Sequence, residues 1–267
     1  MKISDGSDLP HIWWCPTGPL TFLPIHAAGL YDKHESGFKT SDFVVSSYTS
    51  TLEAILQPIL VEKQLFQGIL GVSLPSTPGQ SSLPNAAQEL SEIEQYGSRL
   101  KIHSLLGEQA TMENVIEGMQ NSSWLHLACH AFQDVSEPTE SAFFLHDGKL
   151  TLSEIITRSF PHADFAFLSA CQTAMGDENL SEHAIHLAAG MLAAGFKSVI
   201  ATMWSINDDD APFVAAEVYS HLLRGPEPNS DQAAYALHHA VNQLRERLER
   251  SGEPSPLSWA PFIHVGM

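Results

Sequence analysis

Short apolar runs alternate along this chain with longer segments whose apolar positions recur three and four residues apart. The short runs predict strands at Phe43–Tyr48, Gly68–Leu74, Ile102–Leu106, Trp124–Ala131, Asp164–Ala170, Ser198–Ser205 and Trp259–Val265. Between them, helical spacing predicts Pro84–Gly97, with Ala87, Leu90 and Ile93 inward, and Thr111–Met119, with Thr111 as cap. Further helices are expected at Ser153–Arg158, His183–Phe196, from Asn207–Asp210 to Leu223, and at Asp231–Glu249. Ser50 or Thr51 can cap a helix running to about Phe66, which Pro58 would kink or stop. Pro16-Thr-Gly-Pro19 reads as a turn between two short strands, and Asp147-Gly148 as the turn of a hairpin spanning Phe143–Leu150. The three carboxylates Asp208–Asp210 are expected to face the positive end of the helix they open.

Strands alternating with helices imply an α/β fold: a mostly parallel sheet with helices on both faces, a three-layer sandwich. There is no internal repeat and no break stronger than the Pro-, Ser- and Gly-rich stretch at 75–83, so one domain over 1–267 is expected, with a core at about 13–266. In such sheets chemistry gathers beyond the carboxyl ends of the strands. Two expected strands end on reactive side chains there: Trp124-Leu-His-Leu-Ala-Cys-His130 and Asp164-Phe-Ala-Phe-Leu-Ser-Ala-Cys171. A thiol and an imidazole at neighbouring strand ends are the parts of a cysteine nucleophile and its base. Strand alternation puts Cys129 on the face opposite His130 and so in the core. The same alternation argues against a zinc site built from His126, Cys129 and His130, and no second ligand pair stands near. His126 shares the His130 face and reads as a satisfied core or cleft histidine.

The phrases HLACHA and FLSACQTAMGDE resemble the CHAT domain, a caspase-like peptidase family related to separase and grouped in clan CD. So do PTGPLTFLPIHAAGLY, VVSSYTSTLEAIL, ESAFFLHDGKLTLSEII, HLAAGMLAAGFKSVIATMWSINDDDAP and WAPFIHVG, which together reach from about Trp13 to Gly266. The longer phrases are similar to CHAT proteins of mushroom-forming fungi, many of which carry tetratricopeptide repeats ahead of this domain. The resemblance implies a caspase-like fold and a cysteine endopeptidase. His130 would be the general base and acid, and Cys171 the nucleophile. The 41-residue spacing (171 − 130) is near the interval of about 50 in caspases. The backbone N–H groups of Ala131 and Cys171 would form the oxyanion hole; the family usually has Gly where Ala131 stands, and alanine cannot adopt a glycine-only φ cheaply. The substrate would be a protein or peptide bound as an extended strand. Asp177 and Glu178, six and seven residues past Cys171, and Asp134 just past His130, could hold a basic side chain at the cleavage position. The resemblance implies regulation by a partner or an upstream tetratricopeptide domain, and no cofactor. The alternative is a signalling scaffold that keeps the fold without cutting.

Composition narrows the partners. A formal net charge of −18 opposes binding to nucleic-acid backbones and anionic membranes. Three cysteines, Cys15, Cys129 and Cys171, make no disulfide framework and suggest a reducing, cytoplasmic setting. The polar start at Met1–Asp8 lacks the apolar core of a signal peptide, and no uncharged apolar run is long enough to span a bilayer. Neither a dinucleotide-binding glycine fingerprint nor a phosphate-binding P-loop is present.

Overall fold

The computed structural model describes residues 9–31, 37–56, 65–134, 136–172, 184–252 and 255–267; at 55–56, 170–172 and 184–186 it describes the backbone alone. Among these residues the strands are β1 (His11–Trp14), β2 (Val45–Tyr48), β3 (Ile69–Ser73), β4 (Ile102–Leu106), β5 (Trp124–Phe132), β6 (Ala142–Phe144), β7 (Lys149–Thr151), β8 (Phe165–Gln172), β9 (Ser198–Thr202) and β10 (Phe262–Gly266). The helices are α1 (Leu52–Leu56), α2 (Ala86–Glu94), α3 (Met112–Gln120), α4 (Leu152–Ile156), α5 (Ala184–Ala193), α6 (Ala211–Leu222), α7 (Ala233–Ser251) and α8 (Pro256–Trp259).

The strands form one sheet in the order β1-β2-β10-β9-β8-β5-β3-β4, with the β6–β7 hairpin attached to β5. The main path is parallel except where β10 runs antiparallel to β9. Central β5 and β8 read as near-continuous apolar runs because helices cover both faces. On one face Leu125, Leu127, Cys129 and Ala131 pack with Val115 and Met119 of α3, Ile155 of α4 and Met191 of α5. On the other, Trp124, Phe165, Phe167 and Ile200 pack with Leu90 and Ile93 of α2, Val214 and Val218 of α6, and Leu237 and Leu244 of α7. The result is the expected three-layer, mostly parallel α/β sandwich.

Local signals hold where side chain and backbone are close in sequence. Thr111 Oγ1 accepts the Asn114 N–H and caps α3; Thr51 Oγ1 accepts the Ala54 N–H at the start of α1. Asp147-Gly148 sits in the turn of the β6–β7 hairpin, closed by the Leu145 N–H on the Gly148 carbonyl. Helix α7 stops at Gly252, whose φ of 80° is the left-handed cap geometry that glycine adopts without strain.

Two expectations need correction. Pro16-Thr-Gly-Pro19 does not join two strands: β1 precedes it, and Gly18–Phe22 and Ile25–Ala27 form short 3₁₀ turns, because proline fits the first turn of a helix as readily as a β-turn. The helix begun at Leu52 is described to Leu56; its end, with Pro58, lies outside the described residues, and residues 65–68 form irregular chain before β3. Asp210 makes no capping hydrogen bond to α6. The neighbouring carboxylates instead reach α2: the Asn85 N–H donates to Asp208 Oδ2 at 3.0 Å and Asn85 Nδ2 to Asp209 Oδ1 at 2.7 Å.

Candidate active site

β5 and β8 are parallel neighbours, and their register pairs His130 with Cys171. Register partners on adjacent parallel strands stand about 4.8 Å apart and share a face of the pleat. The face is the one that carries Trp124, His126 and Ala128 on β5 and Phe165, Phe167 and Ser169 on β8. Both positions lie at the carboxyl ends of their strands, since β5 stops at Phe132 and β8 at Gln172.

His130 is 1% exposed, and its Nε2 stands 2.8 Å from the Ser81 carbonyl oxygen. A carbonyl only accepts, so Nε2 carries the ring proton and donates it. Nδ1 is then the basic nitrogen. It is buried and has no hydrogen-bond partner among the described residues. Ser81 belongs to the 75–85 segment, which folds on itself through the Gln80 N–H on Thr77 O and the Leu83 N–H on Pro75 O. Leu83 and Ala86 pack on Ala128, two residues before His130 on the same face, and so seat the segment over the end of β5.

One turn further along α2 lies a group that the hydrophobic pattern did not single out. Glu89 occupies the buried stripe of α2 with Ala86, Leu90 and Ile93 and is 2% exposed. Its Oε1 accepts from Ser169 Oγ on β8 at 3.0 Å, and its Oε2 lies 3.3 Å from Nε2 of His126 on β5. His126 is fully buried, stacks on Phe167 at 5.1 Å, and its Nδ1 lies 3.3 Å from the Tyr219 hydroxyl of α6. Burial first, and the Glu89 carboxylate second, push the Tyr219 phenol well above its ordinary pKa. The available signal was a carboxylate placed where the helical stripe calls for a hydrocarbon.

The remaining expected site residues are placed as follows. Ala131 stands between Phe143 of β6 and Gln172 of β8. Among the described residues no φ is positive outside glycine, so its backbone does not require glycine. Asp134 Oδ1 accepts the N–H groups of Ser136 and Glu137, both at 2.9 Å, and its own N–H donates to Ser141 Oγ. One carboxylate oxygen is thus used to shape the turn after β5. Asp177 and Glu178 lie outside the described residues. Cys129 is fully buried on the face opposite His126 and His130; among the described residues no three side chains of ligand type come together.

A family model described as the CHAT domain matches residues 2–267. The chain belongs to the CHAT domain family. No curated protein matches it. Among solved structures, this CHAT chain is similar to Saccharomyces cerevisiae separase in its complex with securin, at a TM-score of 0.55 and 14% identity over 85% of this chain. It is also similar to the Arg-specific cysteine proteinase gingipain R, at 0.56 and 16% over 98%. A complex of the pro- and mature domains of Porphyromonas gingivalis RgpB aligns at 0.50 and 15% over 84%. The TM-scores show a shared, mostly parallel α/β fold, similar to that of separase and gingipain. The CHAT chain spans 14% of the separase chain and 63% of the gingipain chain. Among the described residues no helix is long and apolar enough to cross a membrane.

Proposed function

We propose that this CHAT domain is a cysteine endopeptidase in which Cys171 is the nucleophile and His130 its base and acid. The observation that carries the reading is the register pairing of His130 with Cys171 at the carboxyl ends of adjacent strands. The Ser81 contact supports it, because a proton held on Nε2 leaves Nδ1 to accept another. A free thiol, with a pKa of about 8.5, is only slightly ionised near neutrality, so this assistance matters.

In the proposed cycle Nδ1 takes the thiol proton as sulfur attacks the peptide carbonyl carbon. The C–N bond breaks, the imidazolium returns its proton to the leaving amine, and a thioester remains. Water then adds as His130 takes a proton from it, the C–S bond breaks, and the thiol is restored. Main-chain N–H groups of Cys171 and Ala131 are the proposed oxyanion donors; for Ala131 this role asks the group to turn from the strand ladder to the substrate. The peptide would lie extended across the strand ends. Asp177 or Glu178, and the second oxygen of Asp134, are the proposed contacts for a basic side chain, in line with the Arg specificity of gingipain R.

Separase with securin and RgpB with its pro-domain are each seen bound to a further polypeptide. That supports a protein partner, or a tetratricopeptide domain, covering the cleft here. The fungal kinship and a cytoplasmic setting rest on the sequence phrases and cysteine usage alone.

The test is cleavage of a peptide library and iodoacetamide labelling by the wild type, Cys171→Ala and His130→Gln. Cleavage should fall to the uncatalysed level in both variants, and Cys171 should label at least ten times faster than Cys15 in the wild type. Identical behaviour of wild type and Cys171→Ala on every peptide, with no labelling preference, would leave a non-cutting scaffold as the function.

A further inference from the structure

The strand that bears His130 and the strand that bears Cys171 are joined by the same buried carboxylate. We infer that Glu89 is a positioning residue for the proposed pair: it docks α2 on the sheet so that the Ser81 carbonyl stands at Nε2 of His130 and selects the tautomer whose Nδ1 is basic. The inference rests on the peptidase reading above and adds to it the part that sets the base.

The segment from Ser81 to Glu89 touches the site region at three polar points. Ser81 O meets His130 Nε2, the Asn85 N–H and amide meet Asp208 and Asp209 ahead of α6, and Glu89 meets Ser169 and His126. Only the last point lies in the core, where Glu89, Ser169 and His126 are all at most 3% exposed. A carboxylate there carries a desolvation cost that a leucine would not, and replacing buried polar clusters by apolar residues commonly leaves stability unchanged or improved. What a leucine would lose is direction. The hydrogen bond from Ser169 on β8 fixes the depth of α2, and the 3.3 Å approach of Oε2 to the His126 imidazole on β5 adds a second polar point, neither of which hydrocarbon packing alone supplies.

Sliding would be felt at His130. Ser169 is two residues before Cys171, and His126 four before His130, on the one face. From Glu89 the helix leads back through Ala86, packed on Ala128, to the 81–85 turn. A small shift of α2 moves the Ser81 carbonyl off Nε2. Without that acceptor the ring has no reason to keep its proton on Nε2, and the fraction of molecules with a basic Nδ1 falls.

The experiment uses the whole chain with Glu89→Ala, Glu89→Gln and Ser169→Ala, and two readouts. The first is the His130 tautomer from long-range ¹H–¹⁵N imidazole spectra at pH 7.5, with the signal assigned by its loss in His130→Gln. The second is Cys171-dependent peptide cleavage. The wild type should show the Nε2–H form. Glu89→Ala should show a mixture of tautomers and a kcat at least ten-fold lower, with KM within two-fold. Glu89→Gln keeps the reach and an oxygen to accept from Ser169 Oγ, and should recover at least a third of wild-type kcat. A wild-type tautomer and kcat in folded Glu89→Ala overturn the inference. If Glu89→Ala does not fold, Ser169→Ala decides: a partial shift toward the other tautomer supports the inference, and an unchanged spectrum and kcat overturn it. If the wild type cuts no peptide, the peptidase reading fails alone, because the tautomer readout still decides the role of Glu89.

Discussion

Acidification should weaken this fold through a histidine on β10, two strands from β8. His264 of β10 is completely buried between two hydroxyls, with Ser47 Oγ 2.6 Å from Nδ1 and Ser198 Oγ 2.8 Å from Nε2. His11 Nε2 continues the file, 2.6 Å from Ser47 Oγ, so the polar chain crosses β1, β2, β10 and β9. A neutral ring has one donor and one acceptor nitrogen, and two hydroxyls satisfy both. Burial, and next the His11 ring, push its pKa from 6.5 down to about 3. The unfolded chain therefore binds a proton at His264 that the folded chain refuses between pH 6.5 and about 3, so stability falls as pH drops through that window. At pH 5 the difference is about 1.5 units below the unfolded value, or about 2 kcal/mol relative to pH 7.5. His26 and His238 are each lowered to about 4, chiefly by burial, and add to the same trend. Comparing the wild type with His264→Gln by urea unfolding at pH 7.5 and 5.0 reads the His264 ring together with its coupling to His11, since the more distant histidines are the same in both. The wild type should lose about 2 kcal/mol more than the variant; with a slope of about 3 kcal/mol per molar, its midpoint moves about 0.7 M further. Parallel losses in the two proteins, within about 0.5 kcal/mol, would refute the buried neutral ring.

Two further outcomes are expected. In Gly71→Ala the new Cβ would fall on Leu90 Cδ1, a side chain held in the core beside Glu89; urea unfolding should show a loss of about 1–3 kcal/mol, and a neutral result would mean that α2 stands further from β3. In Thr151→Ala the capping box of α4 is lost, in which Thr151 Oγ1 accepts the Glu154 N–H and Glu154 Oε2 accepts the Thr151 N–H; thermal unfolding should report about 1 kcal/mol of destabilisation, and no change would deny the cap.

Much of this architecture was legible from neighbouring residues. The runs ending in His130 and Cys171 read as strands because each is short, apolar and bounded by polar positions, and alternation alone separated Cys129 from His130. Thr111 and Asp147-Gly148 were readable because each acts on backbone within a few residues of itself. The Pro16–Pro19 turn was misread because its residues suit two local conformations, and packing chose between them.

What no local pattern contains is which elements meet. The Ser81 carbonyl reaches His130 across 49 residues, Glu89 reaches Ser169 across 80, and Asp208 and Asp209 serve Asn85 of α2 instead of their own helix. A buried carboxylate or a bare carbonyl looks, in the sequence, like any other; its partner is supplied by the order of strands in the sheet and the depth at which a helix docks. The amino-acid pattern thus determined most of the elements and the inward faces of the central strands, because those follow from the repeat of the backbone; on α2 the buried stripe runs through Ala86, Glu89, Leu90 and Ile93, and Ala87, read as inward, is exposed. The tertiary structure alone decided the register that pairs positions 130 and 171 and the polar contacts around His130, because they depend on distances between segments far apart in the chain.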